Sequence, residues 1–329
     1  MVEKIQKTTY LEMLKKMLQI RYFEEQVDQF YMLGEVHGTG HLYIGQEATA
    51  VGSIMAINKD DLITSTHRGH GHCIAKGASL DLMMAELLGK ATGYCKGKGG
   101  SMHIADISLG ILGANGIVGG GIAIATGAAL AVKEQKTNQI VLCFFGDGAT
   151  NQGVFHESLN MASIWKLPVL YIIENNKYGM GFPVSKAVNI DNLSQRAYSY
   201  GMKGLTIDGN DVVGVYTTVS KLAQEVREGS GPILLECQTY RWKGHSRMDA
   251  ERYRTKEEVE SWKAKCPIKA FKKYLVQNNI ADIAEIDLIE SRVKQEIAKA
   301  GKFAKESALP APESAMEDVY ADADRGATL

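Results

Sequence analysis

Two short apolar runs joined by a spacer of helical length constrain this chain more than anything else in it. Ile140-Val-Leu-Cys-Phe-Phe145 leads into Gly146-Asp-Gly-Ala-Thr-Asn-Gln-Gly153. An amphipathic segment runs on to about Trp165; Pro168 and a second run, Val169-Leu-Tyr-Ile-Ile173, then end in Glu174-Asn-Asn-Lys-Tyr178. Both runs are rich in β-branched and aromatic residues, the pattern of strands buried on both faces of a parallel sheet. Strand, helix, strand predicts a right-handed βαβ unit, and so an α/β fold with a mainly parallel sheet flanked by helices. Asp147 and Asn176, 176 − 147 = 29 residues apart, each fall just past the carboxyl end of a strand. Open parallel sheets bind their ligands there. Gly146 and Gly148 let the backbone turn tightly and approach a ligand. The amides of Gly148 and Ala149 open a helix, where unpaired N–H groups suit a phosphate. A carboxylate, an amide oxygen and a nearby backbone carbonyl are oxygen donors that suit magnesium, which is often shared with a ligand's phosphates. The stretch therefore reads as a Mg²⁺–diphosphate site. A lone Gly-Asp-Gly is usually an ordinary turn; the spaced partner Asn176 makes it specific.

The rest of the chain narrows the function by exclusion. The balance of 37 basic against 38 acidic side chains gives a net charge of −1, which asks for neither nucleic acid nor an anionic membrane. No apolar run reaches membrane-spanning length and the N-terminus has no signal-peptide core. The five cysteines form no Cys-x-x-Cys pair, which predicts reduced thiols in a cytoplasmic protein. With 329 residues and no internal repeat, we expect one domain over 1–329, with an N-terminal helical segment over about 8–57 and a C-terminal one over about 256–306.

Taken in order, Thr9-x-x-Glu12 is a capping box that predicts a helix start, with apolar spacing to about Leu33. A glycine-punctuated loop with His37 leads to His41-Leu-Tyr-Ile-Gly-Gln-Glu47 and a small-residue helix over Ala48–Ile57. A short strand at 62–66 precedes His67-Arg-Gly-His-Gly-His72. Three histidines there invite a structural zinc; Arg68 in their midst favours a phosphate instead. Gly93–His103 and Gly113–Gly121 are glycine-rich loops. The first is either a mobile surface segment or a turn near anions; the second enters an alanine-rich helix over Ile122–Glu134. Leu205-Thr-Ile207 and Ile233–Tyr240 read as strands, with Asp211 capping the helix between them. The charged run Arg241–Thr255 is too polar for the core and follows a strand end, so it reads as a functional loop. Two helices, about Lys256–Asn278 and Ala284–Glu306, finish the chain before a tail with Pro310 and Pro312.

With these motifs in view, the chain resembles the alpha subunit of the thiamine-diphosphate-dependent component of acetoin and 2-oxo-acid dehydrogenase complexes. The resemblance runs from about Leu11 to Phe303. It rests on His41-Leu-Tyr-x-Gly-Gln-Glu47, Gly99-Gly-Ser-Met-His103, Gly116-Ile-Val118, Gly146-Asp-Gly-Ala149 and Tyr240-Arg-x-x-Gly-His-Ser246. It implies the thiamine-diphosphate-binding fold of the diphosphate-binding type. It further implies that Asp147, Asn176 and the Tyr178 carbonyl bind Mg²⁺. Gly146, Gly148, Ala149, Arg68, His67 and His245 would surround the diphosphate cofactor, and Gly116 and Val118 would meet its aminopyrimidine through their backbones. His245 and His41 would border the reacting carbon as proton donors or oxyanion partners. Glu157 is either part of a buried acid relay or a solvated helix residue. The implied partners are a beta subunit, in a heterotetramer of two alpha and two beta chains, and a lipoyl-bearing acyltransferase that receives a two-carbon unit. The beta subunit would supply the carboxylate that activates the cofactor and would meet the alanine-rich helix.

Substrate choice within that family is divided. Pyruvate members usually carry tyrosine where this chain has His67, and Ser65-Thr-His-Arg-Gly-His-Gly-His72 looks like acetoin members. Asn176-Lys-Tyr-Gly-Met-Gly181 and Gly244-His-Ser246 look like pyruvate members. Acetoin cleavage is the expectation and pyruvate decarboxylation the alternative. Animal pyruvate members place a further regulatory serine where Arg252 stands, so control of that kind is not expected; Ser246 itself remains. A subunit that holds the cofactor without turnover would lack acid–base groups such as His41 and His245. A Mg²⁺-dependent phosphotransferase would need a Walker or kinase signature, which is absent from the sequence.

Overall fold

In the computed structural model, which describes residues 5–317, eight strands form in chain order. They are β1 Leu62–Thr64, β2 Ile111–Gly113, β3 Val141–Gly146, β4 Val169–Asn175, β5 Tyr178–Gly179, β6 Phe182–Pro183, β7 Lys203–Asp208 and β8 Ile233–Gln238. Six of them make one sheet in the order β2-β1-β3-β4-β8-β7, with every neighbouring pair parallel. β5 and β6 form a separate small hairpin. The ends of the expected 1–329 span, 1–4 and 318–329, lie outside the described residues.

The helices are α1 Lys7–Met32, α2 Glu47–Met55, α3 His70–Lys76, α4 Leu80–Leu87, α5 Gly120–Glu134, α6 Gly153–Ile164, α7 Val184–Ala187, α8 Val212–Arg227, α9 Lys256–Lys263, α10 Pro267–Gln277 and α11 Ile283–Glu306. Side chains of β3 and β4 alternate between two cores because successive residues point to opposite faces. Leu142, Phe144, Leu170 and Ile172 pack with the helices at both chain ends. Val141, Cys143, Phe145, Val169, Tyr171 and Ile173 pack against α5 and α6. The strand–helix–strand unit β3–α6–β4 is the one expected. After β1 the chain steps outward to β2, then back across to β3. The carboxyl ends of β1 and β3 therefore flank a topological switch point, where such sheets open a crevice.

Three local expectations are corrected. Thr9 does not cap α1. The helix starts at Lys7 with Gln6 as its N-cap, the Gln6 carbonyl accepts from the Thr9 and Tyr10 amides, and Lys7 is tied to Glu285 of α11 at 2.8 Å. The segment 256–278 is two helices, because Pro267 lacks the N–H a continuous helix needs and instead opens α10. The charged loop after β8 is not all solvated. Arg241 is 1% exposed, with its guanidinium donating to the carbonyls of Lys243, Tyr178 and Met180. Glu157 is an exposed residue of α6 in the single chain. The caps at Asp211 and Ser79 form through their side chains. Among the described residues no helix is long and apolar enough to cross a membrane.

Candidate functional site

A cavity of about 300 Å³ opens at the switch point. Its wall includes Ser65, Thr66, His67 and Arg68 after β1, Gly146, Asp147, Gly148 and Ala149 after β3, and Glu174, Asn176 and Tyr178 at the end of β4. Arg241 and His245, beyond β8, and Val118, from the glycine turn before α5, complete it. Residues far apart in sequence meet here because parallel strands deliver all their carboxyl ends to one edge.

Ten of the residues expected to form the site line this cavity: His67, Arg68, Val118, Gly146, Asp147, Gly148, Ala149, Asn176, Tyr178 and His245. His41 stands beside it, with its ring centroid 4.6 Å from that of His67 and 5.0 Å from that of His245. Gly116 is off the wall; a Cβ placed there would meet His103 at 3.3 Å. The next residue, Ile117, lines the cavity and is 74% exposed, so this side of the crevice opens to solvent in the single chain.

The wall fits a bound anion and a divalent cation. At Gly146 an added Cβ would meet no atom within 4 Å, which leaves room above the turn. Gly148 lies against Gly179, a Cβ on the former reaching the latter's Cα at 3.3 Å. Asp147 is 3% exposed, and burial lifts its carboxyl to about 6, offset in part by Arg241 and Lys177. It forms no ion pair among the described residues. A buried carboxylate without a cation is the group a metal would satisfy. Asn176 donates its amide N–H to Gln46 at 3.2 Å, and among the described residues its Oδ1 takes only a 3.4 Å contact from the Tyr178 amide. The Tyr178 carbonyl takes a long 3.4 Å contact from Arg241. Arg68 is fixed by the carbonyls of Leu42 at 2.6 Å and His245 at 2.8 Å, with no carboxylate partner among the described residues. Burial and the neighbouring Arg241 push its guanidinium down to about 9. Two buried guanidinium groups beside one cavity favour an anionic ligand.

The histidines divide differently from the sequence motif. His70 bonds Glu24 at 3.1 Å and Ser101 at 3.0 Å, and His72 bonds Ser65 at 2.7 Å and Glu174 at 3.2 Å. Both are fully buried, and the Tyr43 hydroxyl also donates to Glu174. The zinc cluster His67–His70–His72 therefore does not form. His67 instead joins His41 and His245, with ligand nitrogens within 4.8 Å of one another. Burial, then the Arg68 guanidinium, depress all three imidazoles, to about 2 for His67, about 3 for His41 and about 4 for His245. They are neutral at physiological pH.

Three groups on the wall escaped sequence reasoning. Arg241 was hidden because a charged residue after a strand reads as solvated. It also bonds the Tyr253 hydroxyl, which in turn donates to Asp249, and Asp249 accepts from the His245 amide. This chain holds the His245 loop to the β5–β6 hairpin. Glu174, at the end of the second apolar run, and Gln46, inside the His41–Glu47 motif, carry no spacing signal of their own. The Gly93–Gly100 loop does lie on an anion, but one of this chain: the Glu86 carboxylate accepts from the amides of Cys95, Gly97, Gly99 and Gly100 at 2.8–2.9 Å.

Fold and crevice define the class: a parallel α/β protein with helices on both faces and a polar pocket at the switch point of its sheet. Comparison with known proteins resolves the family. The model of the dehydrogenase E1 component family matches residues 15–313. The alpha subunit of acetoin:2,6-dichlorophenolindophenol oxidoreductase from Bacillus subtilis is 50% identical over 317 residues, 96% of this chain and 95% of the relative. The E1 component alpha subunit of pyruvate dehydrogenase from Rickettsia bellii is 43% identical over 314 residues, 95% of this chain and 96% of the relative. The Cupriavidus necator alpha subunit of acetoin:2,6-dichlorophenolindophenol oxidoreductase is also 43% identical, over 96% of this chain and 95% of its own length. The chain belongs to the dehydrogenase E1 component family, whose members are thiamine-diphosphate-dependent oxidoreductases.

Proposed function

We propose that this chain is the alpha subunit of an acetoin dehydrogenase, which cleaves acetoin and passes a two-carbon unit to the lipoyl group of an acyltransferase. The observation that carries the reading is the meeting of Asp147, Asn176 and Arg68 on one cavity at the switch point. The choice of acetoin is supported by 50% identity to the Bacillus alpha subunit against 43% to the rickettsial pyruvate dehydrogenase subunit. Decarboxylation of pyruvate is the alternative, favoured by the several pyruvate dehydrogenase relatives at 41–43% identity.

In this reading Asp147, Asn176 Oδ1 and the Tyr178 carbonyl hold Mg²⁺, with Arg241 giving up its long contact to that carbonyl. Gly146, Gly148, Ala149, Arg68 and His245 hold the diphosphate. Val118 and Gly116 border the aminopyrimidine. Thiamine diphosphate, when bound, supplies an electron sink for cleavage of the bond next to a carbonyl. The residues of this chain orient and protonate. His245 and His41 are neutral imidazoles able to give or take a proton at a carbonyl oxygen. Phe144, Phe145 and Ile122 on the wall keep water from the buried end of the cavity.

The exposed turn at Ile117–Val118 and the outer face of α5, with Ile124 48% exposed, support a second subunit closing the crevice. A beta subunit in a heterotetramer of two alpha and two beta chains fits that need. It would bring the activating carboxylate, since Glu174 is already engaged by His72 and Tyr43. One sheet shared by both chain ends supports reading the chain as a single domain. The five free thiols, four of them buried, support a reducing, cytoplasmic setting. The test is steady-state dye reduction by the reconstituted alpha–beta pair with Mg²⁺ and thiamine diphosphate. Acetoin should be turned over with the higher kcat/KM; a preference for pyruvate would select the alternative, and no turnover of either would refute the reading.

A further inference from the structure

One carboxylate outside the cavity ties together two residues from its rim. Tyr178, at the start of β5, donates its hydroxyl to both oxygens of Glu258, Oε1 at 3.0 Å and Oε2 at 2.9 Å. Tyr240, just past β8, donates to the same Oε1 at 2.9 Å. Both tyrosines are buried. The Tyr178 ring packs on two others, edge-on to Tyr240 at 6.3 Å and tilted to Tyr253 at 5.2 Å between centroids. Tyr240 in turn stacks on Trp262 of α9 at 5.1 Å. Glu258 stands in the first turn of α9, where its amide donates to the capping Thr255 hydroxyl at 3.1 Å. Burial and the bond to Glu258 push the Tyr178 phenol up to about 12, so it stays a donor at physiological pH.

What this carboxylate holds is the backbone of the proposed metal loop. A backbone carbonyl cannot be re-aimed by a rotamer, so its direction depends on how its residue is anchored. Tyr178 needs such an anchor. Lys177 before it holds φ at +78°, a conformation that persists only where the surroundings impose it. The second hydroxyl on Glu258 belongs to the residue before Arg241. Arg241 is the cation that contacts the Tyr178 carbonyl at 3.4 Å and the Met180 carbonyl at 2.8 Å. Glu258 therefore fixes the Tyr178 side chain and the chain next to Arg241 from one point. Among the described residues α9 contributes nothing to the cavity wall, so Glu258 acts through the two tyrosines and not by touching what the cavity holds.

We propose that Glu258 is a positioning residue: by holding the Tyr178 and Tyr240 hydroxyls on one carboxylate, it aims the Tyr178 carbonyl at Mg²⁺ and ties the metal loop to the start of the His245 loop. The inference rests on the Mg²⁺ assignment of the proposed function and deepens it by naming the group that sets the carbonyl ligand. Groups that orient a metal's ligands from behind govern metal affinity without touching the ion.

The test is calorimetry of thiamine diphosphate binding to the reconstituted alpha–beta pair at graded Mg²⁺, with no substrate present. Wild type comes first and should require Mg²⁺; equal binding without it overturns the metal assignment and the inference together. In Glu258→Ala the half-saturating Mg²⁺ concentration should rise about 10–100-fold, and kcat should return close to wild type at excess Mg²⁺ and cofactor. Glu258→Gln removes the charge but keeps an oxygen for the phenols, and should recover most of the affinity. Tyr178→Phe keeps the ring and the carbonyl and loses only the hydroxyl. It should also raise the Mg²⁺ requirement, and adding Glu258→Ala to it should cost less than that change costs alone. If Glu258→Ala does not fold, Tyr178→Phe and Glu258→Gln carry the test. An unchanged Mg²⁺ requirement in Glu258→Ala or in Tyr178→Phe overturns the inference while leaving the proposed function intact. Equal losses in Glu258→Gln and Glu258→Ala overturn it too, since charge alone would then be at work. So does a kcat that excess Mg²⁺ fails to restore, since Glu258 would then act on the chemistry or the fold.

Discussion

Replacing Glu86 by Gln tests how the first glycine-rich loop is held. Glu86 is fully buried on α4, and its Oε2 accepts from the Cys95 and Gly97 amides while its Oε1 accepts from Gly99 and Gly100, all at 2.8–2.9 Å. The loop folds this closely because Gly93 packs on Glu86: a Cβ there would stand 2.6 Å from the Glu86 Cα. Glutamine preserves the shape but turns one oxygen into an NH₂ group, so one of the two amide pairs loses its acceptor. A hydrogen bond to a charged group is worth about 1.5–3 kcal/mol, so two losses remove about 3–6 kcal/mol from the local opening energy. At 1.4 kcal/mol per tenfold, hydrogen exchange of one pair, Cys95 and Gly97 or Gly99 and Gly100, should accelerate about 10²–10⁴-fold. Strands β3 and β4 should keep their protection, because the Glu86 carboxylate accepts from loop amides and, among the described residues, from none of theirs. Native-state hydrogen exchange read by mass spectrometry or NMR makes the measurement. Equal protection of all four amides in wild type and variant would show that the loop is held by something else. Uniform acceleration across β3 and β4 would show that Glu86 supports the whole fold rather than the loop.

Asp147→Ala should abolish Mg²⁺-dependent binding of thiamine diphosphate to the assembled enzyme, and unchanged calorimetric affinity would refute the metal assignment. Asp147→Asn addresses the pH dependence of the metal-free chain. Burial raises the Asp147 carboxyl from 3.8 to about 6, so the folded state binds its proton more tightly than the unfolded one. That stability is fully present below pH 3.8 and lost as pH rises through about 6, a change of about 3 kcal/mol at 1.36 kcal/mol per unit. The asparagine variant should therefore melt above wild type at pH 7.5 and level with it near pH 3.8; an equal difference at both would refute the shift. His245→Ala should fold normally yet lower kcat about 10²–10⁴-fold at saturating cofactor, and near-normal turnover would remove its acid–base role. Lys177 holds φ at +78° between the two candidate ligands Asn176 and Tyr178, so Lys177→Gly should raise stability by about 1 kcal/mol in urea unfolding; a loss would mean that the Lys177 side chain contributes more than its strained backbone costs. The chain purified without a partner should reduce no dye with acetoin or pyruvate, and turnover comparable to the reconstituted pair would place the activating carboxylate in this chain.

Local rules decided what lies within one element or its ends. The alternating faces of Ile140–Phe145 and Val169–Ile173 dictated two buried parallel strands, and placing Asp147 and Asn176 just beyond them followed from strand length alone. Asp211 caps its helix because a short oxygen-bearing side chain reaches the amide two residues on. Three-dimensional packing decided everything that depends on neighbours distant in sequence. His67, His70 and His72 look equivalent in the chain, yet Glu24 and Glu174 claim two of them and leave His67 to His41 and His245. Arg241 reads as a surface charge until the carbonyls of the β5–β6 hairpin close around it. Thr9 lies inside α1 rather than at its cap, and Lys7 at the start of that helix pairs with Glu285, 285 − 7 = 278 residues away. Periodicity and turn chemistry act over a few residues and can be read directly. Burial, charge and the partner of a polar atom belong to the folded whole, because they depend on which strand ends the sheet brings to one edge.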